Sequence, residues 1–299
     1  MVAPRTTGTL TNQPASTITE RTHLQTTALD RAIDALLSPG RAIFALAVIG
    51  LGIETLVCAH SVTFLYTGAS GPRFKAIPVL PFLPPIAWLA YLFGAILAIC
   101  GAGLLVKRTE RISAMAVGAL MFLGAVVLNA PKNAAVPGDM GLRTVVFEPL
   151  AIATLAWLLP GRGATPSWLA RASRFLLAVS LIVFGVDHFL ALVPIGTLIP
   201  PWIPWHVFWI AFFGAGFIAA GLSIGLNILP RWGAACLGLM FAIWVLTLHL
   251  PRVLLGLYGG KGPHNPDEWS SLLIAIALWG GSWALARSAP EDAGSRSTR

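Results

Sequence analysis

Charge is what this chain has least of. Only 11% of its 299 residues are Asp, Glu, Lys or Arg, while 56% are hydrophobic. A soluble domain carries about 25% charged residues, so a shortfall of this size decides the class: a polytopic membrane protein. No soluble stretch is long enough to hold a further domain. No Lys/Arg cluster is interleaved with aromatics on a polar face, so the net charge of +8 speaks to membrane topology and nucleic acid is not an expected partner. Cysteine is nearly as scarce. Cys58, Cys100 and Cys236 lie in separate apolar runs, and no C-x-x-C occurs. A dithiol relay and a zinc or iron–sulfur cage are thereby disfavoured, and the three read as small packing residues. The first thirty residues are Thr-rich and lack the apolar core of a signal peptide.

Long apolar runs fill the rest. Eight are expected to span the bilayer: Ala42–His60, Pro84–Val106, Ile112–Ala130, Val145–Leu159, Phe175–Val193, Ile203–Leu226, Trp232–Leu250 and Ser271–Ala286. About 20 residues cover a hydrocarbon core of about 30 Å. Lipid offers no partners to an open backbone, so such runs must be helices and the fold class is all-α. With the N-terminus inside, fourteen Lys/Arg fall on the inner side and six on the outer. The positive-inside bias therefore predicts two cytoplasmic termini: a disordered tail over residues 1–40, with a short surface helix near Arg31–Leu37, and another over 288–299.

The chain repeats itself. Pro81-Phe-Leu-Pro84 matches Pro201-Trp-Ile-Pro204, Phe93-Gly94-Ala95 matches Phe213-Gly214-Ala215, and Gly101, Arg111, Gly118 and Pro131 match Gly221, Arg231, Gly238 and Pro251, all 120 residues apart. Upstream the offset is 133, and Arg41, Gly52 and Glu54 match Arg174, Gly185 and Asp187, the difference lying in a longer first outer loop, Ser61–Val79. The expected architecture is thus two four-helix repeats, residues 41–160 and 173–287. Four spans is an even number, so both repeats share one orientation, about a pseudo-two-fold axis along the membrane normal.

Ionisable residues inside membrane spans are rare and are functional candidates by default. Asp187 and His188 adjoin each other within Phe175–Val193, and Glu54 is the matching acid of the first repeat. Arg41 to Glu54 and Arg174 to Asp187 are thirteen residues each, about 20 Å along a helix, which puts both acids in the outer part of the bilayer. His249 and Asn129 are matched positions nearer the outer mouth, and His60, His206, His264, Asp267, Glu268, Trp202, Trp205 and Trp269 gather on the same side. The expected site is an outward-facing polar pocket. Asp187, His188 and His249 are its catalytic, proton-handling candidates, and Glu54, Arg252, Glu268, Trp269 and Trp202 are its substrate-binding candidates. Structural roles compete with these: Asp187 as a helix cap or a partner for Arg252, His188 as a satisfied interior histidine, His249 as an interfacial residue, and the two acids as ties between the repeats. No ligand pair has the i, i+4 spacing on one helix that zinc motifs show, so no metal site is expected. Glu148, before Pro149, reads as an acid in the first turn of the fourth span.

Phe184-Gly185-Val186-Asp187-His188-Phe189, Ile199-Pro200-Pro201-Trp202-Ile203-Pro204, Phe213-Gly214, Leu248-His249-Leu250-Pro251-Arg252 and Asn265-Pro266-Asp267-Glu268-Trp269-Ser270 together resemble the DoxX-like integral membrane proteins. The family unit is a four-helix module. The second half carries the resemblance, while the first departs from it: Thr55 stands where His188's counterpart would be, and Asn129 where His249's would be. The resemblance implies a bacterial-type inner membrane and a membrane component of a redox system, since some relatives are linked to thiosulfate:quinone oxidation. Quinone is then the implied ligand and a redox protein the implied partner, besides the lipid bilayer itself; no flavin or haem motif is present. The duplication with its paired acids points elsewhere, to a proton- or cation-coupled transporter of a small molecule with its site between the repeats. A third reading is a non-catalytic structural membrane partner.

Overall fold

The computed structural model describes residues 30–58, 87–161 and 163–289. The chain divides into an N-terminal unit, Met1–Leu37, and a main unit, Ser38–Arg299. The described part of the first is helical over residues 30–37, where a short helix near Arg31–Leu37 was expected within the tail. The predicted tails over 1–29 and 290–299, the long loop Ser61–Val79, His60 and the Pro81–Pro84 motif lie outside the described residues.

The main unit is built from helices 1 (Gly40–Val57), 2 (Ala87–Gly103), 3 (Glu110–Leu123), 4 (Met140–Leu158), 5 (Ser167–Leu190), 6 (His206–Leu226), 7 (Pro230–Trp244) and 8 (Pro266–Ser288). Helix 3 continues through a π turn, Gly124–Asn129, into Ala130–Ala135, and helix 7 through Val245–His249 into Leu250–Leu255. No strand occurs among the described residues. Seven helices are long and apolar enough to cross a membrane, and helix 2 is a shorter apolar one. Ile99, Ile112, Phe175, Leu190 and Leu255 all face outward, which suits a protein whose solvent is lipid.

Each helix packs on the next, and helix 1 returns to pack on helix 8, closing a ring. Helices 4 and 8 also touch each other and are the most enclosed. The fourth and eighth helices begin earlier than their apolar runs. Asp139 accepts the Leu142 N–H at 3.1 Å and Asn265 accepts that of Asp267 at 3.0 Å, so capping residues start both helices upstream of the apolar residues. Helix 5 likewise spans Ser167–Leu190 rather than Phe175–Val193. One consequence is a correction: Glu148 sits in the middle of helix 4, beside the internal Pro149, and not in a first turn.

Several contacts occur twice. A Cβ on Gly94 would lie 2.8 Å from the Gly52 carbonyl oxygen, and one on Gly185 would lie 2.6 Å from that of Gly214. Helices 1 and 2, and helices 5 and 6, therefore approach at distances only glycine permits. Gly118 faces the indole of Trp157, whose Nε1 donates to the Met115 carbonyl at 3.3 Å; Gly238 faces Trp283, whose Nε1 donates to the Ala235 carbonyl at 3.3 Å. The two π turns end just before Pro131 and Pro251. A proline has no N–H for the carbonyl four residues back, here Val127 and Thr247, and the ladder widens to i+5.

Candidate functional site

Asp187 is 5% exposed and its partner is Arg143 of helix 4, not Arg252. Arg143 Nε donates to Oδ1 at 2.9 Å and to Oδ2 at 3.2 Å, and Nη2 also donates to Oδ1. The fork of a guanidinium matches a carboxylate in this way. Arg143 lies before the apolar run that begins at Val145, but helix 4 starts at Met140, so it stands on the first turn of that helix beside Asp187. His188 turns away from this pair. Its Nδ1 is 2.7 Å from the Phe184 carbonyl oxygen, and its ring lies 5.1 Å from that of Phe217. Its Nδ1 is thus engaged within its own helix.

Arg252, Glu268 and His249 form a separate group. Arg252 Nε donates to Glu268 Oε2 at 3.0 Å and Nη2 to Oε1 at 2.9 Å. Arg252 Nη1 reaches the Tyr258 carbonyl at 2.7 Å, and Glu268 Oε1 accepts the Lys261 N–H at 3.2 Å. The pair thus clamps the 256–262 loop onto helix 8. His249 is close enough to feel both charges. Trp269 donates to the Pro263 carbonyl at 2.9 Å and Trp202 to the Tyr258 hydroxyl at 3.1 Å, both at exposed positions. Arg252, Glu268, Trp202 and Trp269 thus each bond to a residue between Tyr258 and Pro263, and Glu54 lies apart from them.

Glu54 accepts a hydrogen bond from the Ser270 hydroxyl of helix 8. The two acids are thus held alike: each sits on the first helix of its half and is met near the start of the fourth helix of the other half. Beside Glu54 is a small cavity of about 20 Å³, walled by Leu51, Thr55, Phe93, Leu97, Met121, Gly124, Asn129, Pro149 and Ser270. Asn129 is 1% exposed; its Nδ2 donates to the Val145 carbonyl at 2.9 Å, while its Oδ1 has no partner. The expected single pocket is therefore three places: an Arg143–Asp187 tie, an Arg252–Glu268 clamp and the Glu54 cavity.

The larger hollows lie elsewhere. One of about 550 Å³ opens at the Arg41 end of the bundle. Arg111, Arg171, Arg174, Asn227, Thr165 and Ser167 supply its polar wall, together with residues from the ends of helices 4, 6 and 8, and among the described residues no acidic side chain lines it. Arg174 donates to Asn227 Oδ1 at 3.3 Å. These arginines were legible in the sequence only as topology signals. A second hollow, of about 720 Å³, is an apolar groove between helices 6 and 7 along Phe212, Phe213, Trp232, Cys236 and Met240. Among the described residues no group of three or more His, Cys, Asp or Glu is placed to hold a metal ion. Compared with family models, curated proteins and solved structures, the chain matches none.

Proposed function

We propose that this chain is an eight-span inner-membrane protein, two DoxX-like four-helix repeats with both termini in the cytoplasm, which binds a small anionic solute between its halves and carries it across. The observation that supports this most is the cavity of about 550 Å³ at the Arg41 end. Its volume lies in the usual range of small-ligand pockets. Its walls come from both halves, and among the described residues its three arginines face no carboxylate across it. An inner vestibule is what the transport reading needs and what a sealed inner half would have denied it.

The redox reading is weaker on the same geometry. A quinone headgroup at Asp187–His188 would need free donors and acceptors. Both oxygens of Asp187 are engaged by Arg143, and Nδ1 of His188 by Phe184. These contacts lend a quinone site at Asp187–His188 no support.

The test is uptake by proteoliposomes of phosphate and of short mono- and dicarboxylates, with Arg174→Gln and Arg171→Gln for comparison. Saturable uptake of one of these anions, lost in the variants, is the expected result. Absence of uptake together with tightly retained phospholipid, released by the same substitutions, would make the cavity a headgroup site and end the transport proposal.

A further inference from the structure

The Glu54 cavity is chemically one-sided. Pro149 has no N–H, so within helix 4 the Val145 carbonyl lacks its usual donor. Asn129 Nδ2 supplies that donor at 2.9 Å. With its NH₂ committed there, the amide must turn its Oδ1 the other way, and this oxygen is buried without a partner. Thr55 gives its hydroxyl hydrogen to the Leu51 carbonyl at 2.7 Å, and Ser270 gives its own to Glu54. Each polar side chain on the cavity wall thus presents lone pairs: a carboxylate, an amide oxygen and two hydroxyl oxygens. Among the described residues no lysine or arginine lines the space. The π turn Gly124–Asn129 contributes Gly124 and Asn129 to the same wall, and such turns recur at functional sites.

An amide oxygen and two hydroxyl oxygens beside a carboxylate call for a positive occupant. The space, about 20 Å³, exceeds only slightly the roughly 10–15 Å³ that a single water needs. We propose that this cavity binds one small monovalent cation of sodium size, with the Glu54 carboxylate as its charged ligand and Asn129 Oδ1 as a neutral one. Oxygen-only ligation suits such hard cations. The site does not depend on the solute reading, because it is walled by different residues at the other end of the helices.

Equilibrium binding of radioactive sodium to the purified full chain in detergent tests it. The expected result is saturable binding of one ion per chain, competed by lithium more effectively than by potassium. Glu54→Gln, which can still accept from Ser270, should abolish it, and Asn129→Ala should weaken it at least about tenfold, equivalent to about 1.4 kcal/mol. Failure of the wild type to bind sodium saturably would overturn the proposal and leave a water, or a proton on Glu54, as the occupant. Binding that survives Glu54→Gln would place the ion elsewhere and overturn it equally. Neither outcome bears on anion uptake.

Discussion

Arg143 donates to both carboxylate oxygens of Asp187, and in doing so fastens helix 4 to helix 5 across the junction of the two halves. The acid is buried and the guanidinium only partly exposed. Removing one partner of such a pair strands the other's charge, which typically costs about 3–5 kcal/mol. Arg143→Ala should therefore unfold at a clearly lower temperature in detergent. The double variant Arg143→Met with Asp187→Leu should recover most of that loss, because no orphaned charge remains.

The glycine crossings predict a second pattern. Gly185→Ala would place a methyl group 2.6 Å from the Gly214 carbonyl oxygen and 2.5 Å from Ile218. Overpacking of that sort costs about 1–3 kcal/mol, and Gly52→Ala should cost a similar amount against Ala98. Gly138→Ala, with open space around it, should leave thermal stability nearly unchanged.

Trp157 and Trp283 offer a test of equivalence between the halves. Each indole donates to a carbonyl one helix away, at 3.3 Å in both cases. Phe substitution at either position removes one donor while keeping most of the ring, for a loss of about 1 kcal/mol. The two single variants should match each other in melting temperature, and their losses should add in the double variant.

The Arg252–Glu268 clamp governs a loop built on unusual backbone. Gly256, Tyr258, Gly259 and Gly262 all have positive φ. The conformation of Tyr258 is costly for a residue with a Cβ, and Arg252 holds its carbonyl in place. Arg252→Ala should speed hydrogen exchange throughout 256–262 while the centre of helix 8 stays protected. Uniform exchange in wild type and variant would show that the loop holds itself.

What could be read from the residues alone was set by the cost of charge in oil. Glu54 and Asp187 stood out for that reason, and both prove to be held by specific partners. The partners themselves, Ser270 and Arg143, were not legible, because each belongs to the fourth helix of the opposite half and no local pattern encodes which helices will meet. Glu148 was misplaced because hydropathy marks where lipid touches a helix, whereas Asp139 marks where helix 4 begins. The π turns left only prolines as a trace. Arg252 and Glu268 were rightly grouped, but as ligands for a substrate rather than for each other. The arginines of the wide hollow looked like anchors for orientation, since nothing in a linear chain distinguishes a loop charge from a pocket wall.

Helix 1 rests chiefly on helices 2 and 8, and helix 5 on helices 4 and 6. Each set of four consecutive helices thus leans on the other for its outermost wall. If the connection near Gly161 were severed, both fragments would carry a bare flank, each the other's natural cover. Reassembly of two separately made pieces, side by side in one bilayer, is the behaviour such interlocking entails.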